Sequence, residues 1–110
     1  MNQRPLQEPT FLILTALAAG AQHGYGIMSD VGKISDGRVK LRAGTLYAAL
    51  DRLAAEQLIE ADREEVVDGR LRRYYRLTGP GAQRLATEVE RLRAQAAVAG
   101  RRLGLMGGLA

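Results

Sequence analysis

The side chains best suited to binding chemistry are seven cations in the middle of the chain. They form two groups, with at most two residues between neighbours in each. The first group is Arg38, Lys40 and Arg42, and the second is Arg70, Arg72, Arg73 and Arg76. Clustered guanidinium and ammonium groups bind phosphates, and the net charge of +4 favours a polyanionic partner such as nucleic acid. An ordinary solvated surface has the same composition, so charge alone leaves both interpretations open.

The sequence has no arrangement of residues typical of catalysis. His23 is the only histidine and there is no cysteine, so the usual ligands of a metal site and the usual nucleophile and base pairs are missing. The run Gly24-Tyr25-Gly26 lacks the preceding strand and the following lysine of a phosphate-binding loop. We therefore expect no enzyme, no cofactor and no bound metal.

Length and composition indicate one small globular domain. The chain has 110 residues, of which 46% are hydrophobic and 25% are charged. The absence of cysteine favours a reducing compartment, which predicts a cytoplasmic protein. The longest apolar run, Phe11 to Ala19, is too short to span a bilayer, and the N-terminus lacks the pattern of a signal peptide.

Two helices are predicted before the first group of cations. Residues Thr10 to Ala19 are apolar on nearly every side, and Pro9 suits the first turn of a helix, so this helix should be central to the core. A second helix is predicted from about Gly24 to Val31, with Tyr25, Met28 and Val31 on one face.

A third helix is predicted from near Gly44 to about Glu56. Leu46, Leu50 and Leu53 recur at spacings of four and three, which gives one buried stripe. The opposite side carries short or polar residues, so the exposed face can approach another surface closely.

A hairpin follows the third helix. Asp68-Gly69 is a strong signal for a two-residue turn, because a type I′ turn needs positive φ at both central positions. A turn centred there places Glu65 opposite Arg72 and Glu64 opposite Arg73. These opposite charges support the register and partly neutralise the two arginines.

A long helix with an apolar seam is predicted at the end of the chain. Thr78 is a plausible N-cap, and a tail rich in glycine, which we expect to be disordered, follows Leu103. Apolar residues spaced by three and four form a seam of about three heptads. The seam consists of Leu85, Val89, Leu92, Ala96, Ala99 and Leu103. A helix this long extends beyond a small domain, so the seam predicts a homodimer, with a monomer folded back on the first helix as the alternative.

The order of elements is typical of a mainly α protein with a β-hairpin wing, a winged helix-turn-helix followed by a long dimerisation helix. The third helix would enter the major groove and the hairpin would lie along the adjacent backbone. We divide the chain into a DNA-binding domain over residues 1–78, a dimerisation helix over 79–104 and a tail over 105–110. The predicted DNA-contacting residues are Arg38, Lys40, Arg42, Thr45, Tyr47, Arg70, Arg72 and Arg73.

Several spaced motifs together resemble the PadR family of transcriptional regulators. They are His23-Gly24-Tyr25-Gly26-Ile27, Gly44-Thr45-Leu46-Tyr47, Leu50, Arg52-Leu53, Leu58-Ile59 and Arg72-Arg73-Tyr74-Tyr75-Arg76-Leu77-Thr78. The resemblance runs from about Leu12 to Leu85, and the single C-terminal helix resembles the family's smaller subgroup. It implies a winged-helix homodimer, usually a repressor, that binds an inverted repeat in double-stranded DNA and can be released by a small-molecule effector.

Two departures from the family pattern bear on the fold. Ala48 follows the Leu-Tyr pair where proline is frequent, and Gln57 precedes the Leu-Ile pair where glycine is usual. The second departure requires Gln57 to adopt a left-handed conformation, which glycine adopts more readily.

Individual site residues also have structural alternatives. Tyr47 could reach DNA from the first turn of the third helix, which the resemblance favours, or pack half-buried on the hairpin. Thr45 could contact DNA or cap the helix. Arg73 could face the core side of the hairpin. For the whole protein the alternative is a winged helix that binds another protein and no specific DNA.

Overall fold

The computed structural model describes residues 4–105 of the chain. This part folds into four helices and a small antiparallel sheet of three strands. The elements in chain order are α1 (Glu8–Ala18), β1 (Gln22–His23), α2 (Gly24–Ile34), α3 (Ala43–Ala55), β2 (Ile59–Val67), β3 (Arg70–Leu77) and α4 (Gly79–Leu103). The architecture is the predicted winged helix-turn-helix followed by a long C-terminal helix.

Helix α1 is the centre of the core, as its uniformly apolar sequence predicts. Leu12, Ile13, Leu14 and Leu17 are buried, and the helix packs against α2, α4 and β3. Among residues 4–105, no helix combines the length and the apolar character needed to cross a membrane.

The predicted face of α2 is confirmed in part, since Val31 is buried and Met28 packs partly buried against the core. The buried residues are Gly24, Ile27 and Val31, whereas the side chain of Tyr25 is 73% exposed. The glycine hides the true stripe, because a residue without a side chain adds nothing to a hydrophobic pattern. A Cβ atom on Gly24 would overlap the Tyr47 hydroxyl and lie 2.9 Å from Tyr47 Cζ, so the missing side chain is what lets α2 and α3 pack closely.

Helix α3 and the hairpin agree with the prediction. Leu46, Leu50 and Leu53 are fully buried in one stripe. The turn is at Asp68 and Gly69, whose φ values of 52° and 75° are both positive, as a type I′ turn requires. The register pairs Glu65 with Arg72 and Glu64 with Arg73, as the sequence predicted for a turn at these two residues.

The third strand was missed. Gln22 and His23 form β1 and pair with Tyr75 and Tyr74, so the strand order is β1-β3-β2. Two residues are too few to show the alternation by which a strand is recognised in a sequence.

The connection between α3 and β2 turns through a left-handed residue. Gln57 has a φ of 63°, as the comparison with the family's glycine predicted. The Leu58 N–H bonds to the Leu53 carbonyl at 3.0 Å and closes the end of the helix. This conformation costs about 1–2 kcal/mol in a residue with a Cβ atom, and the chain accommodates it here.

Helix α4 begins and ends with side-chain and backbone caps. Thr78 Oγ1 accepts a hydrogen bond from the Gly81 N–H at 3.0 Å, which confirms the predicted N-cap. The helix runs unbroken through Gly100 to Leu103, and Gly104 ends it with a φ of 78°. Of the predicted disordered tail, residues 106–110 lie outside the described residues.

The first turn of α4 passes so close to the connection between α3 and β2 that only glycine fits at position 81. A Cβ atom there would overlap the Leu58 carbonyl oxygen and lie 2.9 Å from the carbonyl carbon. We expect Gly81→Ala to lower the free energy of unfolding by about 1–3 kcal/mol, because a backbone group must move. Gly79→Ala is the matched control, since no atom lies within 4 Å of the added Cβ. Urea unfolding measures both variants, and equal stability of the two would refute the close packing.

The contact between Gly24 and Tyr47 can be tested by a double-mutant cycle. Gly24→Ala should destabilise the protein by about 1–3 kcal/mol, because the new methyl group collides with the phenol. In a Tyr47→Ala background the same change should be neutral or stabilise by up to about 1 kcal/mol, because alanine favours a helix over glycine. Gly32→Ala, which meets no atom within 4 Å, is the control for helix propensity. The absence of coupling would contradict the packing described.

Candidate nucleic-acid interface

The outer face of α3 is built from small residues. Opposite its buried leucine stripe lie Gly44 and Ala48, both exposed. No atom outside the helix backbone lies within 4 Å of a Cβ atom placed on Gly44. The B-DNA major groove is about 12 Å wide and admits a helix of ordinary width, and short side chains allow the backbone to approach the groove floor.

The first group of cations lies on the extended segment that leads into α3. Val39 and Leu41 turn inward and pack partly buried against the core. Because side chains of an extended segment alternate, Arg38, Lys40 and Arg42 share the outer side, where all three are exposed. Arg42 is also the N-cap residue of α3, so it stands at the entrance of the helix.

Arg38 differs from its two neighbours because it is already paired. Its guanidinium forms a two-pronged hydrogen bond with the Glu8 carboxylate of α1. This hydrogen bond lowers the pKa of Glu8 and raises the pKa of Arg38. Lys40 and Arg42 form no ion pair within residues 4–105, so they are the cations of this segment with free charge.

Tyr47 is held in place while part of its ring remains accessible. Its side chain is 46% exposed, and its hydroxyl lies against Gly24 at the start of α2. The hydroxyl therefore packs against α2, whereas the alternative placed this side chain on the hairpin. Thr45, exposed in the first turn, is not the N-cap, and α3 has no side-chain cap, so the capping alternative is wrong.

The arginines of the wing are divided between two faces of the hairpin. Arg73 shares a face with the buried Tyr75, on the core side that was one of its two predicted orientations. Hydrogen bonds with Tyr75 and, less strongly, with Glu64 raise the pKa of Arg73, and its Nε lies 3.2 Å from the Glu64 carboxylate. Arg70 and Arg72 alternate to the other face.

The predicted neutralisation of Arg72 by Glu65 was wrong. The two residues are opposite in register, yet the Glu65 carboxylate accepts a hydrogen bond from the Tyr74 hydroxyl at 2.6 Å and lies 3.8 Å from Arg63 Nε. Within the described part of the chain, neither Arg72 nor Arg70 has a carboxylate within ion-pair distance. The free cations of the wing are therefore Arg70 and Arg72.

Sequence reasoning missed the contacts that fix the wing to α2. The Arg63 guanidinium lies 3.8 Å from the centroid of the Tyr74 ring, and the His23 ring meets the same tyrosine edge-on at 5.2 Å. His23 Nδ1 also accepts a hydrogen bond from the Gly26 N–H at 3.2 Å and caps α2. No periodic signal marks Arg63, because it lies beside an irregularity in the pairing of β2.

The remaining member of the second cation group is paired within the chain. Arg76 Nη2 lies 2.7 Å from Glu60 Oε2, and Arg76 Nη1 lies 3.5 Å from Asp62 Oδ1. Residues 4–105 contain no group of three or more histidine, aspartate or glutamate side chains that could hold a metal ion.

Comparison with known proteins agrees with this architecture. The model of the transcriptional regulator PadR-like family matches residues 13–87. A protein of Lysinibacillus sphaericus, "Uncharacterized protein X", is 32% identical over 79 residues, which cover 72% of each chain.

Solved structures give the same result. A PadR family transcription regulator of Clostridium difficile R20291 superposes with a TM-score of 0.73 at 27% identity, over 89% of this chain and 100% of that one. Bacillus subtilis PadR, solved in complex with operator DNA, has a TM-score of 0.67 at 24% identity over 76% of this chain. This chain matches 47% of the Bacillus protein, about half its length. The resemblance drawn from the motifs is confirmed, and the chain belongs to the PadR-like family of transcriptional regulators.

Proposed function

We propose that this chain binds operator DNA as a homodimer, with α3 in the major groove and the wing along the adjacent backbone. The observation that carries the proposal is the small-residue face of α3 together with free cations in the segment before it and on the wing after it. Lys40 and Arg42 precede this face, and Arg70 and Arg72 extend from the wing. Phosphate contacts from these four would orient α3, and Thr45 and Tyr47 would contact base edges or phosphates from its first two turns.

Arg38 and Arg73 take a lesser part in this proposal. Each is already bonded to a carboxylate of its own chain, Glu8 and Glu64 respectively. Contact with a phosphate would require exchange of that partner, so the gain in binding free energy is smaller than for a free cation. A surface ion pair is worth about 0–1 kcal/mol, so both arginines can exchange their carboxylate for a DNA phosphate at small cost.

The dimer is proposed through the seam of α4. Leu85 is buried and Val89 half-buried, but the seam beyond them lies in solvent, with Leu92 39% and Leu103 72% exposed. Burying a leucine stabilises by about 1.5–3 kcal/mol, so a second copy packed along this stripe removes an unfavourable surface. The exposed Ala96 and Ala99 would let the two helices approach closely.

A twofold dimer also predicts the kind of DNA site and the effect on transcription. Two α3 helices related by a twofold axis fit an inverted repeat, and occupation of such a site represses transcription where it overlaps a promoter. We place the DNA-binding part at residues 1–78 and the dimerisation helix at 79–104. A regulator of chromosomal DNA works in the cytoplasm.

Release by a small molecule, which the family resemblance implies, also has a candidate location. A cavity of about 360 Å³ lies between the end of α1 and α4, lined by Ala18, Leu77, Leu85 and Val89 among others. This volume is at the lower end of the range for small-molecule sites.

Operator binding is tested first with Ala48→Glu. Selection from a random duplex library supplies the operator, and fluorescence anisotropy measures its affinity. A carboxylate on the exposed face of α3 should weaken binding at least about tenfold by repulsion from the DNA, while the buried stripe and stability stay unchanged. Ala54→Glu, an exposed site on another face of the same helix, adds the same charge and should bind nearly as well as the parent.

The same assay separates DNA binding from the alternative of a protein-binding winged helix. About six to ten phosphate contacts per dimer predict a slope of log affinity against log salt between about −5 and −9. A slope near zero, or equal operator affinities of Ala48→Glu and Ala54→Glu, would contradict the proposal. A protein-binding module needs no such salt dependence.

The dimer is tested with Leu92→Asp. A charge in the seam should yield monomers whose operator affinity falls by more than about tenfold, because each half-site then binds alone. Thr87→Asp places the same charge on the opposite side of α4, where Thr87 is exposed, and should leave the dimer intact. Sedimentation velocity gives the oligomeric state. A dimeric Leu92→Asp protein with unchanged operator affinity would mean that the interface lies elsewhere.

A further inference from the structure

Three arginines outside the proposed DNA contacts converge on a cavity. The cavity has a volume of about 360 Å³ and lies where the N-terminal segment, α3 and α4 meet. Its lining includes Arg4 of the segment, Arg52 of α3 and Arg84 of α4. None of the three belongs to the cation groups assigned to DNA.

Two of the guanidinium groups are held in fixed positions by the fold. Arg52 Nη2 donates a hydrogen bond to Thr10 Oγ1 at 3.0 Å, and Arg84 Nη2 donates one to the Arg4 carbonyl at 2.8 Å. Each guanidinium has five N–H donors, so most of them remain available to a ligand. Positioned guanidinium groups match the oxygens of phosphates and carboxylates.

The local charge also favours an anion. Glu56 is the one acid that lines the cavity, and its carboxylate lies 3.8 Å from Arg52 Nη1, so three cations face one carboxylate. Helix α1 begins beside the cavity at Glu8, and no side chain caps its first turn. Uncapped N–H groups and the helix dipole add positive potential at the same point.

This cavity is separate from the proposed DNA surface. Arg52 lies ten residues after Arg42, which is about 15 Å along α3. Arg52 follows Ala48 by one turn on the same side of α3, but its side chain reaches back to Thr10 of α1. A DNA phosphate bound near Lys40 and Arg42 would therefore not occupy it.

We infer that this cavity binds a small metabolite through a phosphate group. A volume of about 360 Å³ accommodates a small ligand and no macromolecular chain. If the proposed DNA-binding function holds, the ligand would regulate it, because one anion would contact the DNA-reading helix through Arg52 and the dimerisation helix through Arg84. A ligand that binds one arrangement of α3 and α4 more tightly changes the affinity for operator DNA. Operator binding then changes the affinity for the ligand by the same factor.

The site is tested by NMR titration of the ¹⁵N-labelled full chain with inorganic phosphate, at constant ionic strength kept with chloride. Amide and arginine Nε signals around the cavity should shift and saturate. Arg52→Gln and Arg84→Gln should each weaken binding about tenfold or more, because a charged hydrogen-bond donor is lost. Arg101→Gln, the same change at an exposed position near the far end of α4, should bind like the parent.

The spectra also report whether each variant is folded. Arg84→Lys is a second variant at this position, and it keeps the positive charge. Shifts that do not saturate, or that are equal in parent, Arg84→Gln and Arg101→Gln, would overturn the site. Operator affinity with and without phosphate at fixed ionic strength then tests the regulation, and we expect a few-fold change in the parent and none in Arg84→Gln. Saturable phosphate binding without this change would overturn the regulatory part. Failure to bind any DNA would refute the proposed function, and the NMR result would still decide on the site.

Discussion

The structure depends on covering α1 on every side. A helix with apolar residues around its whole circumference is stable only when neighbours surround it, and here α2, α4 and β3 do so. The buried hydroxyl of Thr10 accepts a hydrogen bond from Arg52, which connects α1 to α3 as well. Helix α3, the wing and the C-terminal helix therefore take their positions from one common core. A change in how α1 packs would be transmitted to all three.

The same packing determines where α4 is left without a partner. Glu88 is buried on the flank of α4, and a hydrogen bond from Arg91 and another from the Leu6 backbone N–H lower its pKa. These contacts fasten the N-terminal segment to the first half of the helix. Beyond Leu92 the seam has no neighbour within residues 4–105 and lies in solvent. The point at which the intrachain core ends is thus the point at which the proposed dimer contact begins.

Local patterns predicted most of the fold, while contacts between distant segments were not predictable. The stripe of α3 and the hairpin register follow from spacing and from Asp68-Gly69, which are local signals. The inward face of α2 was predicted only in part, because Gly24 packs through the absence of a side chain. The pairing of Arg38 with Glu8 joins residues thirty positions apart, and nothing in either segment indicates the other.

The wing shows why counting cations overestimates an interface. Cross-strand register predicts that Glu64 and Glu65 neutralise Arg73 and Arg72 alike, yet Tyr74 binds Glu65 and leaves Arg72 without a carboxylate partner among the described residues. The hydroxyl of an aromatic side chain therefore decides which arginine keeps its charge available. Tyr74 bonds Glu65 through its hydroxyl, while His23 and Arg63 contact its ring. The shape of the wing and its free charge therefore depend on this one side chain. Cations bonded within the chain position the fold, and those left free on the same surface are the ones that can neutralise phosphates.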